Sequence, residues 1–324
     1  MSSNFTGLVS NGVPIFGNGI PATKGRVFFV DYGNGSDSYD GLDITRPFKT
    51  VAVALGQCTT NNYDVICLIG SSTHTLTAML DVSINRVAII GLDNSPGRRY
   101  GQRQKVSLGV TTAATDIATI KNTGVGNVYM NIKFMNANTV DEGLYCVADG
   151  GEYAQWLNCE MYKSTDLDED GAAELLCNAD SAEYINCTIG SNVDAVTATG
   201  ARPCVLLSRE TLTGKVCRDT SFRNCLFWRK AGAVGNFFVY GSGATDVERM
   251  LLFENPIFFN TKLAASTPAQ TIGMGASQTE GYVLVTNPAL VGSATSLSTT
   301  AGVFAIGPDP SGAAATMGIS IQCS

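Results

Sequence analysis

One short pattern recurs along the second half of this chain and constrains its fold more than any other feature. A bulky apolar residue is followed, two positions on, by Asn and then by Ala, Cys or Pro. It appears as Phe134-Met135-Asn136-Ala137, Trp156-Leu157-Asn158-Cys159, Tyr184-Ile185-Asn186-Cys187, Phe222-Arg223-Asn224-Cys225, Phe253-Glu254-Asn255-Pro256 and Val285-Thr286-Asn287-Pro288. The spacings between these asparagines are 22, 28, 38, 31 and 32 residues. A strand-and-turn unit returning at such intervals marks a stacked architecture in which each unit covers its neighbour. The uneven spacing argues against a fixed-length helical repeat and for coils whose strands keep register while their loops vary. Asn suits the turn because it enters the left-handed region at low cost and bonds its own backbone. Stacked coils would also let Asn136, Asn158, Asn186, Asn224, Asn255 and Asn287 bond one another as a ladder. The reading is an all-β, single-stranded, parallel β-solenoid. Its competitor is an unrelated all-β fold with ordinary turn asparagines.

Composition agrees with many turns and few helices. Of 324 residues, 35 are Gly and 15% are charged, which favours β-structure over long helices. A net charge of −7 opposes a nucleic-acid partner, since the phosphate backbone demands a basic surface. The basic run from Arg98 to Lys105 reads as a solvated loop projecting from the stack. No apolar run is long enough for a membrane helix. The opening Met1-Ser2-Ser3-Asn4-Phe5 has neither a basic nor an apolar leader region, so folding in the cytoplasm is expected. None of the ten cysteines stands in a C-x-x-C pair. Cys159, Cys187 and Cys225 share one repeat position, which suggests reduced, buried thiols acting as small apolar side chains.

The chain divides into three parts. Residues 1–24 carry no charge before Lys24 and read as an extended anchoring arm. Residues 25–290 form the capped solenoid, with Thr50 as N-cap of a short helix that ends near Gly56 and covers an open coil end. Residues 291–324 are charge-poor, and within 281–324 Asp309 is the one charged side chain. That depletion suggests an oligomer contact or an end cap.

The segment Phe29-Val30-Asp31, Gly35-Ser36-Asp37, Asp40-Gly41 and Pro47-Phe48-Lys49-Thr50 resembles the opening of pectate-lyase-like right-handed parallel β-helix proteins, many of them bacteriophage virion proteins and tailspikes. The Asn-Cys strand ends resemble interior coils of the same superfamily. The resemblance implies a right-handed winding, a homotrimer, and a virion location after folding in the host cytoplasm. It also implies a major capsid protein or another virion protein as partner. The function expected is structural: a capsid decoration or spike protein held by its N-terminal arm. The alternative is a tailspike-type enzyme or module that binds or cleaves host surface polysaccharide. Fold analogy alone does not carry activity.

Candidate chemistry is sparse, and no catalytic residue or obligate cofactor is assigned. Asp166-Leu167-Asp168-Glu169-Asp170-Gly171 reproduces the opening of a calcium loop, yet Cys177 stands where the closing Glu belongs. Asp166, Asp168 and Asp170 are therefore a weak calcium candidate, with an acidic turn as the plainer reading. Asp141, Glu142, Asp149, Glu152, Asp180 and Glu183 could meet across coils as a pair for glycoside hydrolysis, but nothing selects a pair. Arg202, Arg209, Arg218 and Arg223 lie in no lyase motif. His74, the sole histidine, reads as a polar strand or turn residue. Trp156, Trp228, Tyr153 and Tyr162 are aromatic candidates for sugar contact, the two tryptophans more simply packed within strands.

Overall fold

The computed structural model describes residues 9–10, 13–14, 23–70, 72–92, 106–110, 117–137, 143–163, 171–196, 202–208, 215–231, 237–261, 270–275, 278–292 and 297–306. Beyond a two-residue antiparallel pair, Val9–Ser10 with Val13–Pro14, the described strands fall into three parallel sheets. Sheet A has ten strands, sheet B eight and sheet C seven. Each coil contributes one strand to each sheet in turn. One coil, for example, runs through Tyr145–Asp149 in sheet C, Gln155–Leu157 in sheet A and Glu160–Lys163 in sheet B. The next begins at Ala173–Cys177, again in sheet C and in register with Tyr145–Asp149. The result is a parallel β-helix, and its stacking satisfies backbone groups coil to coil.

The inward column of sheet A explains the bulky residue of the repeat. Ile66, Ile89, Tyr129, Trp156, Tyr184, Phe222, Phe253 and Val285 stand in successive register. Tyr129 stacks on Trp156 with centroids 3.9 Å apart, Tyr184 on Phe222 at 4.4 Å and Phe222 on Phe253 at 4.9 Å. In-register stacking forces identical positions to meet, and offset aromatic pairs are favourable beyond the area they bury.

The turn from sheet A to sheet B is where asparagine acts. Asn158, Asn186, Asn224, Asn255 and Asn287 hold φ between 48° and 55°. Asn158 Nδ2 donates to Asn131 Oδ1 at 2.7 Å, Asn255 Nδ2 to Asn224 Oδ1 at 3.2 Å and Asn287 Nδ2 to Asn255 Oδ1 at 3.2 Å. The first member is thus Asn131, with φ of 57°, and not Asn136. Asn136 ends the sheet B strand Ile132–Asn136. Its side chain turns inward, donating to the Tyr145 carbonyl at 2.6 Å. Phe134-Met135-Asn136 shares the repeat's local pattern but lies one strand too late. At three of these turns the next residue is a cysteine. Cys159, Cys187 and Cys225 donate to the carbonyls of Tyr129, Trp156 and Tyr184 at 3.4, 3.2 and 3.3 Å.

The described ends differ. Helix Val51–Gln57, capped by the Thr50 hydroxyl, places Val51 and Ala54 in the main core beside Phe28, Val30 and Phe48. At the other end strand Val303–Ile306 is the last of sheet A. Phe304, Ile306 and neighbouring Tyr282 are each about half exposed, at 49%, 57% and 58%. No helix among the described residues is long and apolar enough to cross a membrane.

Candidate functional site

Three polar arrangements stand out on this frame: a sealed carboxylate, a buried ion pair and an outward charge ladder. Of the acidic residues grouped by sequence, the fold buries Asp149 and sets Glu152 beside Asp180 in the adjacent coil. Asp149 closes a sheet C strand and is fully buried. Its Oδ1 accepts from Asn122 Nδ2 at 2.8 Å and the Gly151 amide at 3.0 Å. Its Oδ2 accepts from Trp156 Nε1 at 2.7 Å and the Tyr184 hydroxyl at 2.6 Å. Burial pushes its pKa up against these hydrogen bonds, which pull it down. The same burial lifts the Tyr129 and Tyr184 hydroxyls well above their ordinary range. This carboxyl joins successive coils and has no route to a substrate.

The second arrangement lies inside the corner between sheets B and C. Asn136, Lys163 and Asn260 end strands of sheet B, Arg229 stands in register with Asn260 two residues before the end of its own strand, and all four are buried. Arg229 grips Glu174 of sheet C with two bonds, Nη2 to Oε2 at 2.7 Å and Nη1 to Oε1 at 3.1 Å. Asn260 accepts from the Ala231 amide at 3.0 Å and donates to the Gly292 carbonyl at 2.9 Å. The chain leaves the sheets at this corner, so the backbone groups freed there need inward polar partners.

The third arrangement is on the surface, where coils enter sheet A. Glu152, Asp180 and Arg218 are bridged in register, and Glu248 pairs with Arg218 in the next coil. Strands in register stand about 4.8 Å apart, so like charges there would repel. Glu152 and Asp180 are such a pair, and each is offset by a cation from a following coil. Lys215 meets Glu152 at 2.7 Å, and Arg218 meets Asp180 at 3.2 Å and Glu248 at 2.6 Å. Arg249 meets Asp219 at 2.7 Å. Arg223 lies between Glu183 at 3.6 Å and Glu254 at 3.5 Å.

The remaining candidates are accounted for as follows. Asp141, Glu142, Arg209 and the calcium candidate Asp166, Asp168 and Asp170 lie outside the described residues. Among the described residues, no three His, Cys, Asp or Glu side chains are grouped to hold a metal ion. Arg202 is buried. His74 is buried on a sheet B strand, its Nε2 is 3.0 Å from the Ile69 carbonyl, and burial lowers its pKa. Trp156 belongs to the core stack, while Trp228 lies against Phe259. Tyr162 lies under Lys133, and Tyr153 is exposed. The outward column of sheet C, which runs Asp81, Lys121, Ala148, Leu176, Leu206, Tyr240 and Gly273, is largely apolar.

No known protein-family model matches the sequence, and no curated protein matches it. Solved structures do. Pectate lyase Pel9A is similar with a TM-score of 0.56 at 13% identity, covering 82% of this chain and 63% of that one. This chain therefore spans less than two thirds of that lyase. The deglycosylated pectin methylesterase from Aspergillus niger is similar with a TM-score of 0.54 at 12% identity, covering 88% of this chain and 83% of that one. Identity this low carries the fold alone: the chain is a right-handed parallel β-helix like theirs.

Proposed function

We propose that this protein is a structural rod, displayed on bacteriophage particles as a decoration or spike protein. The observation that carries the structural reading is the fate of its outward carboxylates. Glu152, Asp180, Glu183, Glu248 and Glu254 each meet a Lys or Arg, most of them from a neighbouring coil. A carboxylate held this way ties coils together, and the oxygen that binds the cation is not turned toward a substrate proton. The phage location is supported by the sequence resemblance at Phe29 to Thr50. There Asp31 accepts from the amides of Gly33 and Asn34, and Asp37 from those of Lys49 and Thr50. These aspartates build the first coil. Self-association, as a homotrimer in the resembling proteins, is supported by the half-exposed Phe304, Ile306 and Tyr282 on the last strands of sheet A.

Two measurements test the reading. Incubation with a panel of acidic and neutral polysaccharides, followed by a reducing-end assay, should show no release above buffer. Sustained, protein-dependent release would replace the rod with an enzyme. Peptide mass spectrometry of purified particles should detect the protein at a fixed copy number. Its absence from particles would remove the virion role while leaving the rod.

A further inference from the structure

The outward face of sheet A changes character along the rod. In the middle coils it presents Gln155, Glu183 and Arg223. In the first coils the same columns read Val27, Val65, Ala88 and Val128, and then Phe29, Cys67, Ile90 and Met130. These side chains form an apolar cluster separate from the main core, on the far side of the wall. Val65 is 1% exposed, and Cys67 and Ile90 are 0%. Leu157 and Ile185, further along the second column, keep partial exposure. Among the described residues, no apolar side chain from another element joins the cluster except Leu92.

The course of the chain points to what covers this face. Thr23 lies at its margin, lining a cleft of about 80 Å³ with Tyr63, Val65, Ala88 and Val128. The Thr23 hydroxyl donates to the Tyr63 carbonyl and accepts from the Gly25 amide. Gly25 makes the turn possible, because a Cβ there would stand 2.6 Å from the Asn62 carbonyl oxygen. The arm thus begins against the apolar face. Residues 1–22 carry no charged side chain and include Phe5, Leu8, Val9, Val13, Ile15, Phe16 and Ile20. Val9–Ser10 folds back on Val13–Pro14, so the extended stretch is residues 14–22, which reaches roughly 30 Å, whereas four neighbouring strands span only about 15 Å. Of the other long segments, residues 93–105 carry Arg98, Arg99, Arg103 and Lys105 and are a poor match for an apolar wall, while residues 307–324 follow the strand at the opposite end of sheet A.

We propose that the outer face of the first four strands of sheet A is the docking face for the chain's own residues 1–22. The arm supplies the apolar layer that Val65, Cys67, Ala88 and Ile90 lack among the described residues. Cys67 is a reporter built into the face. Burial pushes its thiol up to about 12, so it reacts only when uncovered.

The test is native maleimide labelling of the full chain, read by peptide mass spectrometry at Cys67 and at the core thiol Cys225. In the unaltered protein both should stay unlabelled. The full-length Ile15→Asp/Phe16→Asp variant should label at Cys67 at least about tenfold faster while Cys225 stays silent, as local opening without global unfolding requires. If Cys225 also labels, full-length Phe16→Ser is read by the same criterion. Labelling of Cys67 in the unaltered protein would overturn the proposal. So would silence after the arm is disrupted, or exposure only when residues 94–104 are replaced by a Gly-Ser linker.

Discussion

Replacing Arg229 with Met should cost this protein about 3 kcal/mol, toward the low end for removing one partner of a buried pair. The structure supplies the reasoning. Arg229 and Glu174 are at most 1% exposed and share two hydrogen bonds across a sequence separation of 55 residues. Without the guanidinium, the buried Glu174 loses the cation that offsets its desolvation. Lys163 also bears electrostatically on Glu174, which limits the damage. For a chain of this size the loss corresponds to a fall in Tm of roughly 4 °C. Urea unfolding followed by far-UV circular dichroism measures it. The double variant Arg229→Met/Glu174→Met should return to within about 1 kcal/mol of the parent, because a matched apolar pair often equals a buried ion pair. The pH dependence has a definite sign. Burial raises the folded pKa of Glu174 above 4.5, so the folded state holds the proton more tightly than the unfolded one. In the single variant the deficit should therefore shrink as pH falls toward 4.5 and grow as pH rises through the folded value. A single-variant loss under about 1 kcal/mol, or a double variant no better than the single, would refute this account of the corner.

Further outcomes follow from the same geometry. Asp149 is raised from 3.8 by burial, so its contribution to stability is greatest below that pH and declines as pH rises through the folded value. Asp149→Asn should thus lose most at low pH, about 1–3 kcal/mol for the orphaned Trp156 donor, and less at neutral pH; a loss that grows with pH would contradict this. Asn224, at φ of 53°, should tolerate Gly within about 0.5 kcal/mol, whereas Ala costs about 1 kcal/mol in urea titrations. The described cysteines are free thiols, and a shift in Tm on adding reductant would show otherwise. Phe304→Asp should lower the mass found by light scattering at micromolar concentration, and an unchanged mass would move self-association away from this end.

What the sequence made legible was local. Thr50 announced its helix because a cap acts within three residues. Asn158, Asn186, Asn224, Asn255 and Asn287 announced their turns because left-handed backbone selects Asn from the chain itself. Asn136 misled for the same reason: Phe134-Met135-Asn136 copies the local pattern, and only the placement of Val128–Met130 in sheet A identifies Asn131 as the turn. Tyr129-Met130-Asn131 carries the bulky residue and the Asn, but Ile132 stands where the pattern has Ala, Cys or Pro. Contacts between coils left no such trace. Nothing near Glu174 announces Arg229. Asp149 resembled a surface acid, although its neighbours Val147, Ala148, Gly150 and Gly151 are those of a buried strand end. The unalternating Val65-Ile66-Cys67-Leu68-Ile69 has the pattern of a strand covered on both faces, but nothing in it says by what.

The asparagine corner has a consequence for how such a chain can change over time. Between sheets A and B the turn is held by a left-handed residue whose amide bonds the coil above, so a single inserted residue there would misalign every later rung. Between sheets B and C the same coils are joined by stretches of differing length, anchored by inward polar side chains rather than by register. Novelty can therefore accumulate along one flank of the molecule while the opposite flank keeps the count, which makes the flank beside Asn136, Lys163, Arg229 and Asn260 the side on which related chains should diverge.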